Sequence, residues 1–191
     1  MKRAKNVLKI MAILPVLLLL FSCALNNDQE SSSILIVAKI TGHTDDGSDA
    51  DFLESDVYED TTATVVSDVI IATLEAKLKE PETLGPGSSY QSSILVDEYE
   101  VVYTAVDPSG SSVPETFRGS LSTVIPIDSS ANISFVIVRN FAKQDPPLST
   151  LVASGGALQV VATITFHGED LAGKEVHATG YLTIYFANYA E

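Results

Sequence analysis

Within the long run from Ile94 to Val106 the residues sort onto two faces: Tyr99, Val101, Tyr103 and Ala105 fall on one side, and Glu98, Glu100, Val102 and Thr104 on the other. A period of two puts successive side chains on opposite faces of an extended strand and cannot line one face of a helix. The same signature recurs along the chain. Ser33–Thr41 is a β-branched run closed by Gly42, and Thr64–Val66 is a short β-rich piece. In Val69–Lys79, Ile70, Ala72, Leu74, Ala76 and Leu78 alternate with Thr73, Glu75, Lys77 and Lys79, so a strand is expected although Leu-Glu-Ala-Lys-Leu-Lys has high helix propensity. Phe117–Ile125, Asn132–Arg139, Leu158–His167 and Glu175–Ala187 complete the set. The continuous apolarity of Asn132–Arg139 predicts a central strand. Residues 168–174 read as the polar loop of a closing hairpin. About eight strands, Gly/Pro/Ser-rich connectors and no amphipathic helix predict an all-β protein: an antiparallel β-sandwich, immunoglobulin-like in topology.

The N-terminus follows other rules. Lys2, Arg3, Lys5 and Lys9 precede an apolar stretch of 12 residues, Ile10–Phe21, and Ser22 then precedes Cys23, the sole cysteine of the chain. A permanent membrane helix needs roughly 18 to 20 apolar residues, and this shorter run contains Pro15 and leads into polar Asn26–Glu30. The arrangement resembles the signal peptide and lipobox of a bacterial lipoprotein precursor, with Phe21 bulkier than the usual residue at its place in the box. The resemblance implies cleavage after Ser22, diacylglycerol on the Cys23 thiol and a further acyl chain, such as palmitate, on the new amino terminus. Ala24 stands where Asp would mark inner-membrane retention, so the resemblance implies the outer membrane. A single acyl chain holds only marginally at about 0.8 kcal/mol per buried CH₂, whereas two or more hold stably. The expected organisation is therefore a leader at 1–22, a lipidated cysteine and flexible tether at 23–32, and one β-sandwich domain at 33–191. The segment Lys174–Tyr189 is similar to the last strand of small bacterial lipoproteins carrying a sandwich domain. That likeness covers mainly the last hundred residues and brings no catalytic motif.

Charge narrows the partners. Removing the leader takes four of the 11 basic residues and none of the 25 acidic ones, which leaves 7 against 25, a formal charge of −18. Nucleic acid is excluded, because its phosphates must be met by clustered Lys and Arg. Anionic lipid is disfavoured too, so the acyl anchor must hold the membrane. With its one thiol spent on lipid, the domain has no disulfide and depends on packing.

Several constellations carry possible chemistry. Residues 45–60 hold eight carboxylates and no basic side chain. Asp45, Asp46, Asp49, Asp51 and Asp56 are candidate calcium ligands, since Ca²⁺ takes six to eight oxygens from such alternating aspartates. The spacing fails an EF-hand loop, whose third, sixth and twelfth positions would be Gly47, Ala50 and Asp56. The alternative is a solvated acidic loop held open by self-repulsion. His167 and His177 come together if the last hairpin turns at Leu171-Ala172, as a zinc pair or as exposed strand histidines. Glu98 and Glu100 share a strand face, either as a hydrolytic pair or as ordinary acidic surface. Arg118 and Arg139 either grip a carboxylate ligand or pair with local acids. No Gly-x-Ser-x-Gly elbow is present. Tyr181, Tyr185 and Tyr189, spaced by four, lie on one side of a strand, as a binding face or as packing, with Leu182, Ile184 and Phe186 toward the core. The expectation is a lipid-anchored envelope protein that binds a surface or envelope partner without catalysis and without a required cofactor. A calcium-dependent adhesion module is the second class, and a small secreted hydrolase the third.

Overall fold

A computed structural model describes residues 30–58, 64–80, 90–107 and 112–189. The expected leader at 1–22, Cys23, most of the expected tether and the acidic residues Glu59 and Asp60 lie outside the described residues. A compact unit runs from Ser31 to Glu191. It is all-β with two short helices: β1 (Ser33–His43), β2 (Asp49–Ala50), β3 (Phe52–Asp56), β4 (Asp68–Leu78), β5 (Ile94–Ala105), β6 (Phe117–Ile125), β7 (Ser129–Val138), α1 (Asn140–Gln144), α2 (Leu148–Ser154), β8 (Leu158–Asp170) and β9 (Glu175–Ala187).

Two sheets form, in the orders β2-β1-β4-β7 and β3-β9-β8-β5-β6. Every neighbouring pair is antiparallel except β3 and β9, which run parallel from Phe52 opposite Thr183 to Asp56 opposite Ala187. Alternation decides which faces meet. Ile70, Ala72, Leu74 and Ala76 of β4 are buried with Ile133, Phe135 and Ile137 of β7. From the other sheet, Tyr99, Val101 and Tyr103 of β5, Val160, Ile164 and Phe166 of β8, and Leu182, Ile184 and Phe186 of β9 join the same core. Aromatic rings bridge the sheets: Phe135 of β7 meets Phe166 of β8 edge-on at 5.3 Å between centroids and Tyr99 of β5 at 5.0 Å.

Four expectations change. Thr64–Val66 is not a strand, while Asp49–Ala50 and Phe52–Asp56 are. Leu53 and Ser55 point inward and Phe52, Glu54 and Asp56 are half-buried, so a serine in a core position hides the alternation. The strand at Asn132–Arg139 is not central, because β7 closes the edge of the four-stranded sheet. Its apolarity comes from burial of Ile133, Phe135, Ile137 and Val138 in the shared core. The chain between Asn140 and Ser154 folds into two helices of five and seven residues, too short to show a helical period in sequence. Finally, the folded domain begins before Ser33. Ser31 is buried and its hydroxyl donates to Asp170 Oδ2 at 2.6 Å, so the end of the expected tether is fixed to the last hairpin.

Candidate functional site

The acidic segment breaks up once it folds. After β1, the backbone turns through Thr44–Ser48 with Gly47 at φ 82°, the left-handed region that suits glycine. Asp46 closes that turn, accepting from Thr44 Oγ1 at 2.5 Å and from the Ser48 N–H at 3.0 Å. The Thr44 and Ser48 bonds hold its carboxyl below the ordinary aspartate range. Asp49 pairs with His43 in the β1–β2 ladder, and Asp51 is exposed. Asp45 and Asp56 remain together, lining a cavity of about 180 Å³ with His43, Glu54, Val66, Asp68 and Lys143. Thus two of the five candidate calcium ligands share a cavity. Among the described residues, no group of three His, Asp or Glu side chains is placed to hold one metal ion.

A cation is already present there. Lys143, on α1, is 3% exposed. Its ammonium donates to Asp68 Oδ1 at 2.7 Å and to the Asp56 carbonyl at 2.7 Å. Asp68 begins β4, and its other carboxylate oxygen accepts from Ser55 Oγ of β3 at 2.5 Å. Burial pushes the Asp68 carboxyl up, against the opposing pull of Lys143 and Ser55. Three elements far apart in sequence therefore converge on one carboxyl group. The sequence reading missed this cluster. Its only signal was a lysine amid Phe141, Ala142 and the apolar end of β7, and a charged side chain that enters a core must be paired.

The outer face of the five-stranded sheet holds the other candidates. Across β8 and β9, His167 faces His177, Thr165 faces Thr179, Thr163 faces Tyr181, Val161 faces Thr183 and Gln159 faces Tyr185. The hairpin thus brings the two histidines together as the spacing predicted. They line a cavity of about 340 Å³ with Asp97, Glu98, Glu169 and Glu175, and His167 Nε2 is buried there without a protein partner. His43 lies in the other cavity. Tyr181 is 68% exposed and Tyr185 38%. The Tyr185 ring meets Phe52 edge-on at 5.7 Å, and its hydroxyl accepts from Gln159 Nε2 at 3.3 Å.

Tyr189 leaves this row. Four-residue spacing keeps side chains aligned only while the strand lasts, and β9 ends at Ala187. Tyr189 instead folds over the strand end: its N–H donates to Asp56 Oδ1 and its hydroxyl to the Tyr185 carbonyl. Burial and the carboxylates of Glu54, Asp45 and Asp56 push its phenol up to about 12. Glu98 and Glu100 are both engaged by Arg118, at 2.9 and 3.0 Å. Arg139 bonds the Arg118 carbonyl and covers the Phe117 ring at 4.1 Å. No protein-family model and no curated protein matches the chain.

Proposed function

We propose that this is a lipid-anchored protein of the bacterial outer membrane whose immunoglobulin-like β-sandwich binds or scaffolds an envelope partner rather than catalysing a reaction. Support for the topology comes from strand order. β1, β4 and β7 lie side by side as strands A, B and E do in the immunoglobulin scheme, and β5, β8 and β9 as strands C, F and G. Support for the anchor is the leader, with four basic residues before a short apolar run and a single cysteine behind Ser22.

The observation that carries the binding role is the outer face of β8 and β9. Thr163, Thr165, Thr179, Thr183 and Val161 make an uncharged strip around Tyr181 and Tyr185 on a chain otherwise rich in carboxylates. Tyrosine offers broad apolar contact with a hydrogen-bonding tip at low entropic cost, which suits a contact surface. Anchoring confines that surface near its partners and raises their effective concentration. The test is in the native envelope. Cys23→Ser should abolish acyl labelling and release the protein from the membrane fraction, and unchanged attachment overturns the anchor. A photo-crosslinker in place of Tyr181 should trap an envelope component that one in place of Val152, exposed on α2, does not; equal labelling from both overturns the binding face.

The calcium reading has one observation behind it, the lining of a single cavity by Asp45, Glu54 and Asp56. The Lys143 ammonium argues against it, since it supplies positive charge at that cavity already. A melting midpoint raised by calcium and restored by chelator would favour calcium.

A further inference from the structure

Lys143 and Asp68 form more than a charge pair in their geometry. We propose that Lys143 Nζ and the Asp68 side-chain carbonyl become joined in the folded protein by an intramolecular amide bond. The nucleophile is held: Nζ is 2.7 Å from Asp68 Oδ1 and is fixed from a second side by the Asp56 carbonyl at 2.7 Å. The electrophile is held as well. Ser55 Oγ donates to Oδ2 at 2.5 Å, where negative charge collects when nitrogen adds to the carboxyl carbon. Neither partner can swing away into solvent, with Lys143 only 3% and Ser55 0% exposed and the Asp68 side chain 11% exposed.

The step balances within the pair. Passing one proton from Nζ to Oδ1 along the existing hydrogen bond converts ammonium and carboxylate into amine and acid. Burial, which pushes the Asp68 carboxyl toward keeping a proton, favours that form. The amine lone pair then attacks Cγ, forming the N–C bond. The Cγ–Oδ1 bond breaks, and Oδ1 leaves as water after taking a second proton from nitrogen. The product is a neutral secondary amide and one water, with no oxidant, reductant or co-reactant. The cavity lined by Asp68, Lys143 and His43 gives the water a way out. Fixed neighbours of this kind react with effective concentrations of about 10⁵–10⁸ M when well aligned, which is how a condensation unfavourable between free solutes becomes possible. The bond also replaces two buried charges, whose desolvation is costly even when paired. It would tie the start of β4 to the helix that follows β7, across 75 residues, in a domain that has no disulfide.

The experiment uses the protein as its own cell produces it, untruncated by design and purified from whole-cell detergent extract. It is denatured, boiled and digested with trypsin, and the peptides are sequenced by tandem mass spectrometry. The expected result is a branched peptide linking the segments that contain Asp68 and Lys143, lighter by one water than their sum, with no cleavage after Lys143. Lys143→Arg, which keeps the positive charge but is not expected to form this amide, should lose the branched species completely. Wild-type protein that gives only linear peptides, cleaved after Lys143, overturns the proposal, as does a branched fraction no larger than in Lys143→Arg. The wild-type measurement decides even if the variant fails to fold.

Discussion

If the two sheets share one core, Phe135 and Phe166 must be energetically coupled, because they sit on different sheets and touch. Phe135 belongs to β7 and Phe166 to β8; the rings are 5.3 Å apart at 82°, and both are at most 4% exposed. Replacing either with Leu keeps an apolar side chain but removes the edge-to-face contact and opens space. Each single change should cost about 1–3 kcal/mol, in the range of partial truncations in a packed core. The edge-to-face pair itself is worth about 0.5–1.5 kcal/mol, so the double variant should be less destabilised than the sum of the singles by that amount. Urea unfolding of wild type, both singles and the double closes the cycle, provided the slope with denaturant stays constant. Residues that do not interact add within about 0.3–0.5 kcal/mol. Additivity within that error would refute the shared core.

Other consequences can be checked in the same protein. Gly42→Ala should destabilise by about 1–3 kcal/mol, because a Cβ at residue 42 would run into the carbonyl of Phe52 where β1 crosses β3; a neutral change in urea unfolding would count against that close approach. Asp170→Ala removes the acceptor for Ser31 Oγ, the Ala172 N–H and the Lys174 N–H. It should cost about 1–3 kcal/mol and speed hydrogen exchange at Ser33, and unchanged exchange there would show that Ser31 does not fix the start of the domain. Tyr189 keeps its proton more tightly folded than unfolded, with its phenol raised from 10.0 to about 12. Its contribution to stability is therefore full below pH 10 and lost as pH rises through about 12; an ultraviolet phenolate titration should show a late step that Tyr189→Phe removes.

What was legible in the sequence was whatever the two-residue period controls. The faces of Val69–Lys79 and of Glu98–Ala105 follow from alternation, whereas a register shift between Val96 and Glu98 puts Ile94 and Val96 in the core with Tyr99, out of that phase; the Leu-Glu-Ala-Lys helix propensity yielded because Ile70, Ala72, Leu74 and Ala76 have a core to enter. The hairpin that opposes His167 and His177 was fixed by its turn residues and apolar register. Position within a sheet was not legible. A strand such as β7 looks central when its apolar side chains are buried against a second sheet, and nothing in its ten residues tells that burial from pairing on both edges.

The cluster around Asp68 was hidden for a deeper reason. Ser55, Asp68 and Lys143 stand 13 and 75 residues apart in sequence, and each taken alone resembles surface. Ser55 sits within an acidic run that reads as solvated loop, Asp68 just before an apolar strand, and Lys143 on a five-residue helix with no period of its own. The parallel pairing of β3 with β9 sets Ser55 among inward-facing residues, and α1, directly after β7, brings Lys143 to Asp68 and the Asp56 carbonyl. Both are decisions of the tertiary fold, made by packing at long range rather than by local propensity. The chemistry that a buried amine and carboxyl can do is thus encoded in the topology, and the residues that perform it become recognisable only after the sheets are assembled.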